Sequence, residues 1–445
     1  MPNFPQSAAP CLVFRRPARW LFLLALLGSG LTASPPAKDD GELIFALILS
    51  RHGISTPSPA RDLTQIAAQP WPVWDTPGGH LTRHGGELMA LMGGYYRQRY
   101  LRLGLLTGRD HEDALRLYFR SDSDERTVES ARRLGQGLLP GGNPEIHARR
   151  RGVTDALFRP NLVPPLRPDY GLAQAAVLGR IGGRPDEVLR EHRADYDLLQ
   201  GILLGEGSPI PPGKQSLFAQ PAGVGPRLAS HIVSLTGPLR LGMAATDVIL
   251  AEYVDGRPAA EVAWGRASGP TLLRLLQLHS LYEELTQRTF YPAQVQGSNL
   301  ASHILLTLEQ AAGGRRMAGA IGGPEARLVV VVGHDTNIAN LGGLLGLSWA
   351  VPGVPLNPTL PGGALVFELR RRGDARCFVR VAYLAQTLEQ MRGGVSLSVA
   401  QPPAQAPVFV PDASEASPGY DAPLPAFSTR LRQVIGAAFV VPQSL

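Results

Sequence analysis

Leu43-Ile44-Phe45-Ala46-Leu47-Ile48-Leu49, followed at once by Ser50-Arg51-His52-Gly53, is the stretch on which the fold turns. An apolar run of this length between polar neighbours suits a strand and is short for a helix. Because it is unbroken rather than alternating, it predicts a strand covered on both faces of a sheet. Two further junctions have the same form. Leu115, Leu117 and Phe119 alternate with polar residues, and Ser121-Asp122-Ser123-Asp124 then offers N-caps to a helix from Glu125 to Leu138, closed by Gly141-Gly142. Leu328-Val329-Val330-Val331-Val332 runs into Gly333-His334-Asp335-Thr336-Asn337 and a helical pattern from Ile338 to Leu347. Three strand–loop–helix junctions predict an α/β sheet with its polar residues gathered at the strand ends, where open α/β sheets bind ligands.

Working outward, Leu88, Leu91, Met92, Tyr95 and Tyr96 recur at helical spacing between Thr82 and Tyr100, predicting a helix packed on the sheet. From about Tyr170 to Arg288 the strand signal fades, and patterns such as Leu272-Leu275-Leu276-Leu278 take over around loops at Ser208–Lys214 and Pro221–Pro226. This reads as a helical insertion between sheet strands. Ala364 to Leu369 and Phe378 to Tyr383 read as a strand pair joined by a polar turn, and the Pro-rich segment from Gln401 to Pro425 as irregular. The expected organisation is a leader at 1–33, an α/β domain from 34–168 and 290–445, and a helical domain at 169–289. There is no internal repeat.

Composition sets outer limits. The chain has 445 residues, 44% hydrophobic and 18% charged, which is ordinary for a globular protein. Its formal charge of +6 falls to +3 once the leader is removed, too mild a balance to imply nucleic acid. The leader has basic Arg15, Arg16 and Arg19, an apolar stretch from Trp20 to Leu27, and small residues ending near Ala33, the three parts of a secretory signal. Its apolar stretch is well short of the ~20 residues of a spanning helix. The expectation is a cleaved signal, a periplasmic or secreted location, and no membrane attachment afterwards. Cleavage removes Cys11 and leaves Cys377 alone, so no intrachain disulfide is expected.

The chemistry gathers at the three strand ends. In Arg51-His52-Gly53 an imidazole stands beside a guanidinium, whose fork matches phosphate oxygens in paired hydrogen bonds, and the glycine allows close backbone approach. Arg126 falls in the first turn after Asp122-Ser123-Asp124-Glu125, and His334-Asp335 ends the third strand. Each fragment alone fits a surface ion pair or a solvated loop. The His and acidic residues form no close-spaced metal-ligand cluster in sequence.

As a set, Arg51-His52-Gly53, Asp122 to Thr127 and Gly333 to Asn337 resemble, in order and spacing, the histidine acid phosphatases, and more narrowly the bacterial phytase and glucose-1-phosphatase group. Trp71 to Trp74, Gly85-Gly86-Glu87-Leu88, Trp264-Gly265-Arg266, Pro361-Gly362-Gly363 and Gln386 to Arg392 extend the resemblance across the mature chain. It implies a phosphoglycerate-mutase-like fold, a central mixed sheet flanked by helices with an inserted, mostly helical domain. It also implies that His52 attacks phosphorus to form a phosphohistidine, that Asp335 protonates the leaving alkoxide, and that Arg51, Arg126 and His334 bind the phosphoryl oxygens. No metal or cofactor is implied, the partner is a small phosphomonoester, and the working pH is acidic. By the same resemblance, Asp247 and His279 are candidates for the pocket wall.

Two departures stand out. The family pattern Arg-His-Gly-x-Arg-x-Pro has Ser55 in place of its second Arg, which leaves Arg61 as the candidate to reach back to the vacated anion position. Pro59 and Gln294-Val295-Gln296 stand where phytase-like relatives carry basic side chains, and the family's cystines have no counterpart. The expected function is an exported acid phosphomonoesterase. The alternatives are a phytase proper, or a phosphate-ester binding protein with weak turnover.

Overall fold

The continuous apolar run that opens the chain's first strand needs cover on two faces, and the fold provides it. The computed structural model describes residues 40–441 apart from 58–60, 227 and 229–230; the expected leader and Pro59 lie outside the described residues. Among these, the strands are β1 (Glu42–Arg51), β2 (Leu117–Ser121), β3 (Ile146–His147), β4 (Gly223–Gly225), β5 (Ser234–Thr236), β6 (Leu328–Gly333), β7 (Ala364–Arg371), β8 (Cys377–Ala385), β9 (Ala404–Val408) and β10 (Ala422–Pro423). The helices before β6 are α1 (Arg61–Ile66), α2 (Arg83–Arg102), α3 (Asp110–Ala114), α4 (Glu125–Leu138), α5 (Tyr170–Arg180), α6 (Pro185–Glu191), α7 (Arg193–Leu204), α8 (Pro238–Val254), α9 (Gly269–Thr286) and α10 (Phe290–Gly313). After β6 come α11 (Asp335–Leu345), α12 (Leu388–Arg392) and α13 (Leu424–Val434).

Eight strands form one mixed sheet in the order β10-β8-β7-β1-β6-β2-β3, with β9 also paired to β8, and β4 with β5 makes a separate ribbon. β6 runs parallel to both neighbours, whereas β7 is antiparallel to β1. Leu43, Ala46 and Ile48 of β1 pack with Met92 and Tyr96 of α2 and Leu134 of α4. Phe45, Leu47 and Leu49 belong to the other core, with Ile304 of α10 and Leu341 of α11. Burying each such side chain contributes roughly 1.5–3 kcal/mol, which is why an all-apolar strand is stable only in this sandwiched position. The fold is α/β with a central mixed sheet flanked by helices, as the strand–loop–helix junctions predict.

Register sets the site. Arg51 pairs with Gly333, and Ser50 and Ser121 both pair with Val332, so β1, β6 and β2 end level and deliver His52, His334 and Asp122 side by side.

Several element boundaries differ from the sequence reading. β2 begins at Leu117, and Leu115 is exposed outside it. α4 ends at Leu138 with Leu139 as C-cap, so Gly141-Gly142 lie beyond the helix they were expected to close. α11 begins at Asp335 instead of Ile338, because Asn337 Oδ1 accepts from the His334 N–H and tightens the first turn. The supposedly irregular segment from Gln401 to Pro425 carries β9 and β10, and the Pro221–Pro226 loop contains β4.

Candidate active site

The first loop is fixed by its backbone. His52 N–H donates to Gly333 O at 3.0 Å, Gly362 N–H donates to His52 O at 3.0 Å, and Gly53 N–H donates to Ser130 Oγ on α4 at 2.9 Å. A Cβ on Gly53 would lie 2.9 Å from Met89 Cγ and 3.0 Å from Gly85 O, so only glycine lets the loop pass this close to α2. Thr82, the N-cap of α2, accepts from Gly85 N–H, and a Cβ at Gly85 would fall 2.4 Å from Ile54 O. Gly85 of the sequence motif is thus the seat of the histidine loop.

His52 is buried, and its Nδ1 lies 2.8 Å from Gly53 O. That carbonyl can only accept, so the tautomer assigned from this contact carries its proton on Nδ1 and leaves Nε2 bare. Arg126, in the first turn of α4, points its Nε at that Nε2 from 3.1 Å. Burial, reinforced by Arg126, Arg51 and His334, holds the His52 pKa well below the ordinary imidazole value. The depressed pKa favours the neutral ring, whose lone pair faces a cation.

His334 stands 5.5 Å from His52, ring centre to ring centre, and its Nε2 lies 2.7 Å from Asp122 Oδ2. Burial lowers its pKa against the pull of Asp122. Asp335 opens α11 and is 2.9 Å from Arg51 Nη2. Burial works against the charge on Asp335, yet the cationic Arg51 and His279 outweigh it and hold the carboxyl well below the usual range. Asp124, expected as an N-cap, makes no side-chain cap bond; its carboxylate goes to Arg126 at 2.7 Å and Arg159 at 2.6 Å.

Arg159 lines the cleft and is a residue that the sequence did not single out, because its loop follows no long strand and matches no motif. A buried ion pair between Arg120 of β2 and Asp155 anchors that loop. Asp122, Asp124 and His334 bring three metal-ligand-type atoms within 4.8 Å of one another. Arg159 Nη2 reaches Asp122 at 3.3 Å and His334 Nε2 at 2.9 Å as well as Asp124, so a guanidinium holds the place a cation would take.

The cleft has two adjoining lobes, of about 370 Å³ and about 240 Å³, which share His52, Arg126, Met243 and Asp247. Arg51 and Ser55 line the larger lobe, and His334, Asp335 and His279 the smaller. Asp247 of α8 and His279 of α9 are brought together, with Nδ1 to Oδ1 at 2.6 Å, and Glu283 lies 3.4 Å from the other ring nitrogen. The i,i+4 spacing of His279 and Glu283 was the available signal for the second missed residue. Arg61 is not brought in: it opens α1 with its side chain exposed and does not line either lobe. Gln296 is buried behind the cleft, donating to Gln287, which does line it.

A nucleophile-ready histidine, a second histidine and a ring of guanidinium groups at the carboxyl ends of a mixed sheet define a phosphate-handling class. The chain belongs to the histidine phosphatase superfamily (branch 2), whose family model matches residues 42–160 and 240–384. It is similar to phytase AppA of Escherichia coli strain K12, 32% identical over 82% of this chain and 85% of that protein. Similarity to the glucose-1-phosphatase of Providencia rettgeri is 28% over 87% and 91% of the two chains. Among solved structures, the Hafnia alvei phytase in complex with tartrate superposes with a TM-score of 0.84 at 30% identity, covering 91% of this chain and all of that one. The protein is a hydrolase of the histidine acid phosphatase and phytase family, acting on phosphate esters. No helix among the described residues is long and apolar enough to cross a membrane.

Proposed function

We propose that this chain is an exported acid phosphomonoesterase that hydrolyses small organic phosphate esters in two steps. His52 Nε2 attacks phosphorus in line, the ester oxygen leaves with a proton from Asp335, and water then cleaves the phosphohistidine. Arg51, Arg126 and His334 bind the phosphoryl oxygens and offset the charge spread over them in the transition state. The observation that carries this reading is the bare His52 Nε2, held neutral in a buried site 3.1 Å from Arg126.

The two perturbed groups work together in acid. A depressed pKa keeps His52 nucleophilic at low pH, while falling pH supplies the proton that Asp335 otherwise lacks. A bound phosphate competes with Asp335 for Arg51, and that competition makes protonation of the carboxyl easier once substrate is present. In this reading residues 34–168 and 290–445 form the phosphatase domain, and the insertion at 169–289 supplies the wall bearing Asp247 and His279. Export rests on the leader at 1–33.

The test is His52→Ala, with chemical quench of the wild type under alkaline conditions. Turnover should vanish in the variant, and the wild type should yield phosphohistidine. Retained turnover without His52 overturns the mechanism. N-terminal sequencing of protein recovered from a periplasmic extract checks cleavage near Ala33.

A further inference from the structure

The charges around the cleft are unusual for a site that handles phosphate. Arg51, Arg126, Arg159 and His279 face Asp122, Asp124, Asp247, Glu283 and Asp335, four cations against five carboxylates. Every cation is already paired: Arg51 with Asp335, Arg126 and Arg159 with Asp124, and His279 with Asp247 and Glu283. Burial opposes the charge on His279, but Asp247 and Glu283 overcome it and raise its pKa well above the ordinary value, so the ring stays cationic and bound to its own carboxylates.

Position sharpens the point. In the larger lobe both guanidinium groups sit at the reacting end, with Arg51 and Arg126 beside His52. Away from them the wall includes Ile54, Leu63, Met243 and Val248, and among its described residues the one charged side chain is Asp247. Asp247 is 39% exposed, and the contact with His279 is made by its Oδ1 alone. Ser55, also in this wall, offers a hydroxyl and no charge. A second phosphate on the substrate would meet a carboxylate and apolar carbon, with no unpaired cation among the described lining residues to receive it.

We infer that the cleft selects monoesters with a single phosphate and a non-anionic alcohol portion, which gives an O–H or N–H hydrogen bond to Asp247, and that it discriminates against polyphosphorylated substrates. This rests on the phosphomonoesterase reading and narrows it. It separates the chain from the phytases it resembles, because a substrate crowded with phosphates needs unpaired cations on the wall. Apolar side chains beside Asp247 suit the carbon face of a sugar or a short amino alcohol.

The experiment measures kcat/KM of the purified chain at acidic pH on 4-nitrophenyl phosphate, glucose 1-phosphate, 2-aminoethyl phosphate and inositol hexakisphosphate. One of the two donor-bearing monophosphates should exceed the hexakisphosphate at least tenfold, and which one leads tells whether the donor is hydroxyl or ammonium. Asp247→Asn should shrink that ratio at least fivefold, mainly through KM. Should this variant fail to fold, Glu283→Gln tests the same excess of negative charge and should shift the ratio in the same direction. A wild type that prefers the hexakisphosphate, or a ratio that no folded variant moves, overturns the inference. If 4-nitrophenyl phosphate is hydrolysed normally in that case, the phosphomonoesterase reading survives; if no substrate is hydrolysed, both fall.

Discussion

Asp335 occupies the position at which two opposing demands meet. As the first residue of α11 it lies where the helix dipole favours a carboxylate, and Arg51 at 2.9 Å adds to that preference. Such an acid is a scarce proton donor, so its contribution should depend on how badly the leaving group needs a proton. Asp335→Asn is expected to lower kcat about 10²- to 10⁴-fold on an alkyl phosphate, and much less on 4-nitrophenyl phosphate, whose phenolate leaves unaided. Equal losses on both would remove Asp335 from this role. Ser55 invites the opposite experiment. It lines the lobe next to His52, and Arg61 does not replace the missing guanidinium there. Ser55→Arg is therefore expected to raise kcat/KM, since a charge-assisted hydrogen bond to phosphate contributes about 1.5–3 kcal/mol, or roughly 10- to 150-fold. Arg61→Ala should change the same constant by less than about twofold, because removing an exposed side chain outside the cleft breaks no contact with phosphate. Steady-state kinetics on one small monoester decide both.

Helices α2 and α4 touch backbone to backbone. A Cβ on Gly137 would lie 2.1 Å from Ala90 O, and one on Gly93 would lie 2.1 Å from Leu134 O. Gly137→Ala should force the helices apart and cost about 1–3 kcal/mol, visible as a lower urea midpoint. Arg126 rides on α4 and the histidine loop leans on α2, so kcat/KM should fall with it. The elements that could be read from sequence were those whose cause is local. β1 and β6 announce themselves by apolar runs, and β7 with β8 by two largely apolar segments joined across a short polar turn. β9 hides because Pro407 lies within it, a residue tolerated at a sheet edge but usually a mark of loop. The same division holds in the site. His52, Arg126, His334 and Asp335 each follow a strand end and were legible there, whereas Arg159 is carried in by the Arg120–Asp155 pair, a contact between residues 35 apart in sequence. Asp124 shows the converse: its sequence suits an N-cap, but two nearby guanidinium groups compete for the carboxylate and take it.

At the level of the whole molecule, Glu252 makes stability depend on pH. Its side chain is fully buried on α8, where Oε2 accepts the Ala263 N–H at 2.7 Å. That bond holds a turn in which Ala263, Trp264 and Gly265 all have positive φ, with Trp264 packed 4.9 Å from Trp71. Burial pushes the Glu252 pKa up to about 7 from the model-peptide value of 4.5, against the Ala263 hydrogen bond and Arg257. A raised folded-state pKa means that the folded chain holds this proton more tightly than the unfolded chain. The resulting stability is complete below the unfolded value and is lost as pH climbs through about 7, a change on the order of 3 kcal/mol. Thermal unfolding at pH 5 and pH 8 should show the decline, and Glu252→Gln should flatten it; an equal slope in both proteins would exclude Glu252 as the cause. The sheet order has a different consequence, in the timing of folding. β6 lies between β1 and β2 yet is made roughly 200 residues after β2, so a growing chain has no neighbour to place in that slot until about three quarters of it has been synthesised. Early fragments must leave two strand edges open, a state that favours association with other chains. Sheet closure is a late step by construction, and a polypeptide kept unfolded until after translocation would pass through that exposed stage only once, on the far side of the membrane.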